Sequence, residues 1–223
     1  MPTLRPEYGP TLPALLAKPL RTDQRRIRLG LLLIALVVVV LAVVVSALRS
    51  GQALRDVLVR QPVAFTLAHT DALQRVVPQS GEVLRLASPA GADPAMTYAA
   101  RPIDLGAYRG DPTASLGLRA SRDATALARA LPSYASRGEG KTRVNASPGY
   151  QLSYQYRSDR TAIYAKRLYL VPPVEPGDPA PREGIELTLT GSRGAVFPNV
   201  ASIGANGALK QPLRSFRFGT ERP

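Results

Sequence analysis

From Leu29 to Leu48 the chain runs for twenty residues on Leu, Val, Ala and Ile, with one Gly, one Ser and no charge. At about 1.5 Å per residue, a helix of this length reaches roughly 30 Å, the hydrocarbon thickness of a bilayer. The Val-rich composition leans towards strand in water, but in lipid only a helix or a closed barrel satisfies every backbone N–H and C=O. A buried strand is excluded by length, since such strands run about 4–8 residues. Val45-Ser46-Ala47 fits a signal-peptidase site, but an apolar signal core usually spans about 7–15 residues and does not follow a 28-residue polar leader. Residues 29–48 are therefore expected to form a transmembrane helix that holds the chain to a lipid bilayer.

The flanks set the orientation. Lys18, Arg21, Arg25, Arg26 and Arg28 precede the span, while Arg49, Arg55 and Arg60 follow it at similar distance. By the positive-inside rule the N-terminus lies in the cytoplasm and the larger C-terminal part outside. This divides the formal charge of +13, from 29 Lys+Arg and 16 Asp+Glu, into a basic tail and a diffuse remainder without a basic run. A diffuse charge in that compartment suits an anionic envelope polymer or a membrane-protein partner, and no nucleic acid is expected. No cysteine is present, which excludes disulfides, thiol catalysis and cysteine-based metal sites. No cofactor or metal is indicated.

Residues 1–28 contain Pro2, Pro6, Pro10, Pro13 and Pro19 and read as a disordered basic, Pro-rich cytoplasmic tail. In residues 49–64, Leu54, Val57 and Leu58 fall at helical spacing, so the stretch reads as a prolonged helix or juxtamembrane stalk ended by Pro62. Residues 65–218 have the size of one domain, and 219–223 form a C-terminal tail. Tyr150, Leu152, Tyr154 and Tyr156 alternate with polar residues, which predicts a half-buried strand. Residues 157–160 then make a turn, and 161–171 the partner strand of a hairpin. Residues 184–190 alternate in the same way, and 81–87 and 95–100 are further strands. Residues 172–181, with five prolines, read as a loop. Residues 123–131 read as a helix capped by Ser121 or Asp123, and 208–214 as a short turn. The fold class is α+β: one transmembrane helix, then a mostly antiparallel β extracytoplasmic domain with one or two helices.

The segment Ala135-Ser-Arg-Gly-Glu-Gly-Lys141-Thr142 satisfies the loose form of a phosphate-binding loop. That loop needs a strand before it and a helix after it, and Arg143-Val-Asn-Ala-Ser-Pro-Gly149 is no helix, so an exposed basic turn is expected and nucleotide binding at Lys141 is the least favoured function. His69, the sole histidine, has no nucleophile or metal-ligand pattern around it. It supports an alternative reading, an envelope hydrolase using His69 and carboxylates such as Asp104, Asp111 or Glu139. Asn145-Ala-Ser147 fits a glycosylation acceptor weakened by Pro148. Tyrosines interleaved with basic residues on strands suit either stacking or core packing, and core packing is favoured. The candidate interaction surface is Arg137, Lys141, Arg143, Tyr150, Tyr154, Arg157, Arg160, Lys166 and Arg167. The chain is thus expected to be a single-pass cell-envelope protein with a non-enzymatic binding or scaffolding domain.

The strings Glu139-Gly-Lys-Thr-Arg-Val-Asn145, Pro148-Gly-Tyr150, Arg182-Glu-Gly-Ile185 and Leu209-Lys-Gln-Pro-Leu-Arg-Ser-Phe-Arg-Phe-Gly219 resemble a family of uncharacterised single-pass actinobacterial membrane proteins. The order of elements in residues 65–218 also resembles the Mog1/PsbP-like α+β fold found in some mycobacterial lipoproteins. Those lipoproteins are anchored through a lipidated cysteine, so here the resemblance implies anchoring by the helix itself. It implies no catalytic residues.

Overall fold

The computed structural model describes residues 31–40, 53–106, 113–174 and 179–221. Two compact units are distinguished, residues 1–52 and 53–223. In the first, residues 31–40 are helical and every side chain is exposed, apolar on all sides of the helix. The rest of the 29–48 run lies outside the described residues, as does the 1–28 tail. Among the described residues no helix is long and apolar enough to cross a membrane.

The second unit is a mixed α+β domain in which every strand pairing described is antiparallel. A seven-stranded sheet has the order β3-β4-β5-β9-β8-β7-β6, and a three-stranded sheet the order β1-β2-β10. The strands of the larger sheet are β3 (Gln74–Arg75), β4 (Leu84–Ala87), β5 (Met96–Asp104), β6 (Ala135–Val144), β7 (Ser147–Ser158), β8 (Thr161–Leu170) and β9 (Glu183–Ser192). The smaller sheet comprises β1 (Leu54–Val59), β2 (Phe65–Thr70) and β10 (Arg217–Phe218). Helix α1 (Ala114–Ala130), a 3-10 turn (Val200–Ser202) and helix α2 (Lys210–Ser215) complete the unit.

Strand alternation puts consecutive residues on opposite faces of the large sheet, and two apolar clusters follow. One face carries Leu84, Leu86, Tyr98, Leu168, Leu170, Leu187 and Leu189 against Val57, Phe65 and Leu67 of the small sheet and Phe216. The other carries Leu152, Tyr154, Ala165 and Tyr169 against Leu116 and Ala120 of α1. The result is three layers: small sheet, large sheet, helix. The β7–β8 hairpin stands where alternation places it, with Ser158 opposite Thr161. Gly149 allows those strands to meet, since a Cβ there would collide with the Tyr169 carbonyl oxygen.

Four expectations are corrected. From Leu54 the stretch expected to be helix or stalk is strand β1, with Val57 and Val59 facing inward and Leu54 and Leu58 exposed, so the two-residue period governs. Helix α1 begins nine residues before Asp123, because Leu116, Ala120, Ala124, Leu127 and Leu131 form one continuous apolar stripe; Asp123 lies within it and caps nothing. The Lys141 segment is the edge strand β6, continuous but for an irregularity between Ser136 and Gly138, so no loop opens onto a helix N-terminus and the phosphate-binding-loop geometry is absent. The tail expected from residue 219 begins tied to β2: the Gly219 N–H donates to the Ala64 carbonyl at 2.9 Å and the Thr66 hydroxyl to the Glu221 carbonyl at 2.7 Å.

Candidate binding trough and the Arg167 network

The register of β8 against β9 decides the site. Arg167 lies opposite Thr188, and Tyr169 opposite Glu186, all on the face that meets α1. Arg167 Nε stands 3.3 Å from Glu186 Oε1, and Nη1 stands 3.2 Å from Asp123 Oδ2 on α1. The Tyr169 hydroxyl donates to the same Asp123 oxygen at 2.6 Å, and the Thr188 hydroxyl to Glu186 Oε1 at 3.3 Å. A half-buried cation is thus shared between two carboxylates, the arrangement that compensates the loss of hydration. Burial alone would lower the pKa of Arg167, but Glu186, Tyr154, Tyr169 and Asp123 more than offset it and hold the guanidinium above its usual range.

Above this network the sheet face is open. A trough of about 330 Å³ runs from Leu127 and Leu131, at the end of α1, across Tyr154 and Tyr156 of β7 to Thr188, Thr190, Thr97 and Ala99, and on to Arg85, Glu82 and Arg101. Thr97 and Thr190 face each other across β5 and β9. Arg85 Nη1 donates to Glu82 Oε1 at 2.8 Å, while Arg101 is exposed at the rim and reaches the Ser80 carbonyl at 3.3 Å. The Tyr154 and Tyr156 rings stack with centroids 6.2 Å apart. Burial pushes the Tyr154 hydroxyl up to about 12 and also raises that of Tyr156. The trough therefore offers threonine hydroxyls, the Tyr156 ring and one exposed guanidinium, over charges that are already paired.

The residues expected to share one surface are divided by the sheet. Tyr154 and Arg167 line the trough, Tyr154 as a buried core residue. Tyr150 packs beside them, next to Gly117 of α1. Lys166, adjacent to Arg167 in sequence, points to the opposite face, donates to the Ile203 carbonyl at 3.0 Å and lines a separate recess with Arg143. Burial lowers the pKa of its ammonium. Arg137 and Lys141 are exposed on edge strand β6, and Arg157 and Arg160 at the β7–β8 turn. Sequence reading missed Glu186, Asp123, Thr97, Thr188 and Thr190. The alternating 184–190 pattern was the one available sign, since it placed Glu186 and Thr188 opposite the Ile185 face.

His69 is buried on β2, and its Nδ1 donates to the Thr70 carbonyl at 2.9 Å, so the ring is held by backbone rather than by a carboxylate. It borders a recess with Asp56 and Asp71, and Asp71 is paired with Arg55. Asp104 accepts from the Gly106 N–H at 2.7 Å, Glu139 is exposed on β6, and Asp111 lies outside the described residues. Asn145 uses its side-chain amide to donate to the carbonyls of Arg214 and Phe216, so its nitrogen is not presented as a glycosylation acceptor. Among the described residues no group of three or more His, Asp or Glu could hold a metal ion.

No protein-family model and no curated protein matches the chain. The fold is similar to that of cyanobacterial PsbP (CyanoP) from Synechocystis sp. PCC 6803, with a TM-score of 0.50 and 9% identity over 75% of this chain and 93% of that one. This agrees with the PsbP-like layout expected from the order of elements. LpqN, involved in cell envelope biogenesis of Mycobacterium tuberculosis, aligns with a TM-score of 0.47 and 13% identity over 76% of this chain and 92% of its own. A protein of unknown function from Pseudomonas aeruginosa aligns with a TM-score of 0.41 and 17% identity over 76% and 99%. At these identities the likeness concerns the fold alone.

Proposed function

We propose that the chain is a single-pass cell-envelope protein, N-terminus in the cytoplasm, whose α+β domain lies outside and works by binding rather than by catalysis. The observation that carries the binding role is the trough: its charged side chains, Arg167 with Glu186 and Asp123, and Arg85 with Glu82, are engaged with one another. With those charges engaged, Thr97, Thr188, Thr190 and Tyr156 are the groups left to a ligand, and they suit a hydroxylated one. Exposed Arg101 favours an anionic one, so the partner proposed is an anionic envelope polymer, with a membrane protein as the alternative. Anchoring is supported by residues 31–40, since a helix that is apolar all round belongs in lipid or in a large core.

The test is photo-crosslinking in intact cells from full-length chain carrying the probe in place of Arg101 or Tyr156. Polymer captured from these positions, and not from Arg160 at the β7–β8 turn, supports the reading. Equal capture from all three positions, or none from the trough, contradicts it.

A further inference from the structure

We infer that β6 pairs with β6 of a second copy of this chain, antiparallel about Gly140, so that the large sheet continues from one molecule into the next. The two edges of that sheet differ. The β3 edge is two residues long, Gln74–Arg75, whereas β6, at the opposite edge, runs for ten, Ala135–Val144. Among the described residues β6 is hydrogen-bonded to β7 alone, and Ser136, Arg137, Gly138, Glu139 and Lys141 are exposed. A long open edge of this kind is a template for another strand. The irregularity between Ser136 and Gly138 bounds it on one side, and from Gly138 to Val144 the register with β7 is unbroken.

Within that stretch successive residues take opposite faces. Glu139 and Lys141 lie opposite Leu152 and Tyr150, which pack with α1, so both charges stand on the α1 face. Gly138, Gly140 and Thr142 take the other face, where a Cβ at Gly138 or Gly140 would meet nothing within 4 Å. The order of charge selects a second copy. Rotating β6 by two-fold symmetry about Gly140 sets Gly140 against Gly140, Gly138 against Thr142, and Glu139 against Lys141 of the second copy, each twice. Directly opposite residues on one face have Cβ atoms about 4.5–5.5 Å apart, within reach of an ion pair. Among the described residues neither Glu139 nor Lys141 has an ion pair within its own molecule. Centring the pair on Lys141 instead would set two ammonium groups directly opposite, which is unfavourable. The pairing is independent of the trough and of membrane anchoring.

Disulfide crosslinking of the full-length chain in oxidised cell suspensions tests this. The chain has no cysteine, so a covalent dimer of a variant carrying one reports two copies meeting at that position. Gly140→Cys is expected to crosslink, because facing residues of an antiparallel pair lie within disulfide reach. Arg157→Cys, at the exposed end of β7, is expected to stay monomeric. In the Gly140→Cys background, Glu139→Lys or Lys141→Glu sets like charges opposite each other twice, and the crosslinked fraction should fall about tenfold. Both substitutions together restore the complement and should recover the dimer, which a merely destabilising change would not do. No dimer from Gly140→Cys, as much from Arg157→Cys, or preferential crosslinking from Lys141→Cys overturns the inference. So do single reversals without effect, or a double exchange that fails to recover the dimer.

Discussion

The Tyr169 hydroxyl donates a 2.6 Å hydrogen bond to Asp123, and through that contact α1 is fastened to the centre of the large sheet. Because Arg167 stands 3.2 Å from the same carboxylate oxygen and 3.3 Å from Glu186, the helix, β8 and β9 share one polar junction. Tyr169→Phe deletes a hydrogen bond to a charged acceptor and is expected to cost about 1.5–3 kcal/mol. Arg167→Met leaves two carboxylates facing each other without a cation, and about 3–5 kcal/mol is expected. Urea unfolding measures both, and the order of the two variants matters more than either value.

Gly149 and Gly140 make a matched pair for testing the β7–β8 contact. A Cβ at Gly149 meets the Tyr169 carbonyl, whereas one at Gly140 meets nothing within 4 Å. Gly149→Ala should lose about 3 kcal/mol or more, as overpacked positions do, or fail to accumulate as folded protein. Gly140→Ala should unfold within about 0.5 kcal/mol of the parent.

Alkaline stability follows from the buried phenols. Burial raises the pKa of Tyr98, Tyr154 and Tyr169, Tyr154 to about 12. An unfolded tyrosine ionises near pH 10, so these groups stabilise the fold fully below that pH and lose their contribution as pH rises through their folded values. Lys166 acts in the opposite sense, since its lowered pKa makes the unfolded chain the better proton binder below about pH 10.5, but it is one group against several phenols. Stability should therefore fall above pH 10, and Tyr154→Phe should flatten the slope. Tyrosinate absorbance should rise in two stages, the second coinciding with unfolding.

The tyrosine hairpin was legible in the sequence because Tyr150, Leu152, Tyr154 and Tyr156 alternate over a clear turn. Strand β1 was not, because Leu54, Val57 and Leu58 also satisfy helical spacing and only the partner strand β2 selects the two-residue period. Strand β6 escaped for a different reason: Val144 is its only buried residue, so an edge strand of this composition carries no periodicity. Of the candidate residues, Arg167 and Tyr154 were named without their partners. Asp123 and Glu186 are far from Arg167 along the chain, and sheet register and helix packing alone bring them to it. Lys166 and Arg167 were expected on one surface, but strand geometry sends them to two different recesses.

The role of His69 separates binding from hydrolysis. Its Nδ1 is hydrogen-bonded to the Thr70 carbonyl, which accounts for the ring structurally. His69→Ala should rescue a deletion strain as well as the parent gene does, with a stability loss of about 1 kcal/mol for the missing hydrogen bond. Loss of rescue by a variant that remains folded would restore the hydrolase reading.

Topology bears on the account most directly, because the partner proposed for the trough belongs to the envelope. A reporter that is active only outside the cytoplasm is fused after Pro223 and assayed in intact cells. The account predicts full activity there, and none for the same reporter placed ahead of Leu29. An inactive reporter after Pro223, paired with activity from a reporter that works only in the cytoplasm, would contradict it.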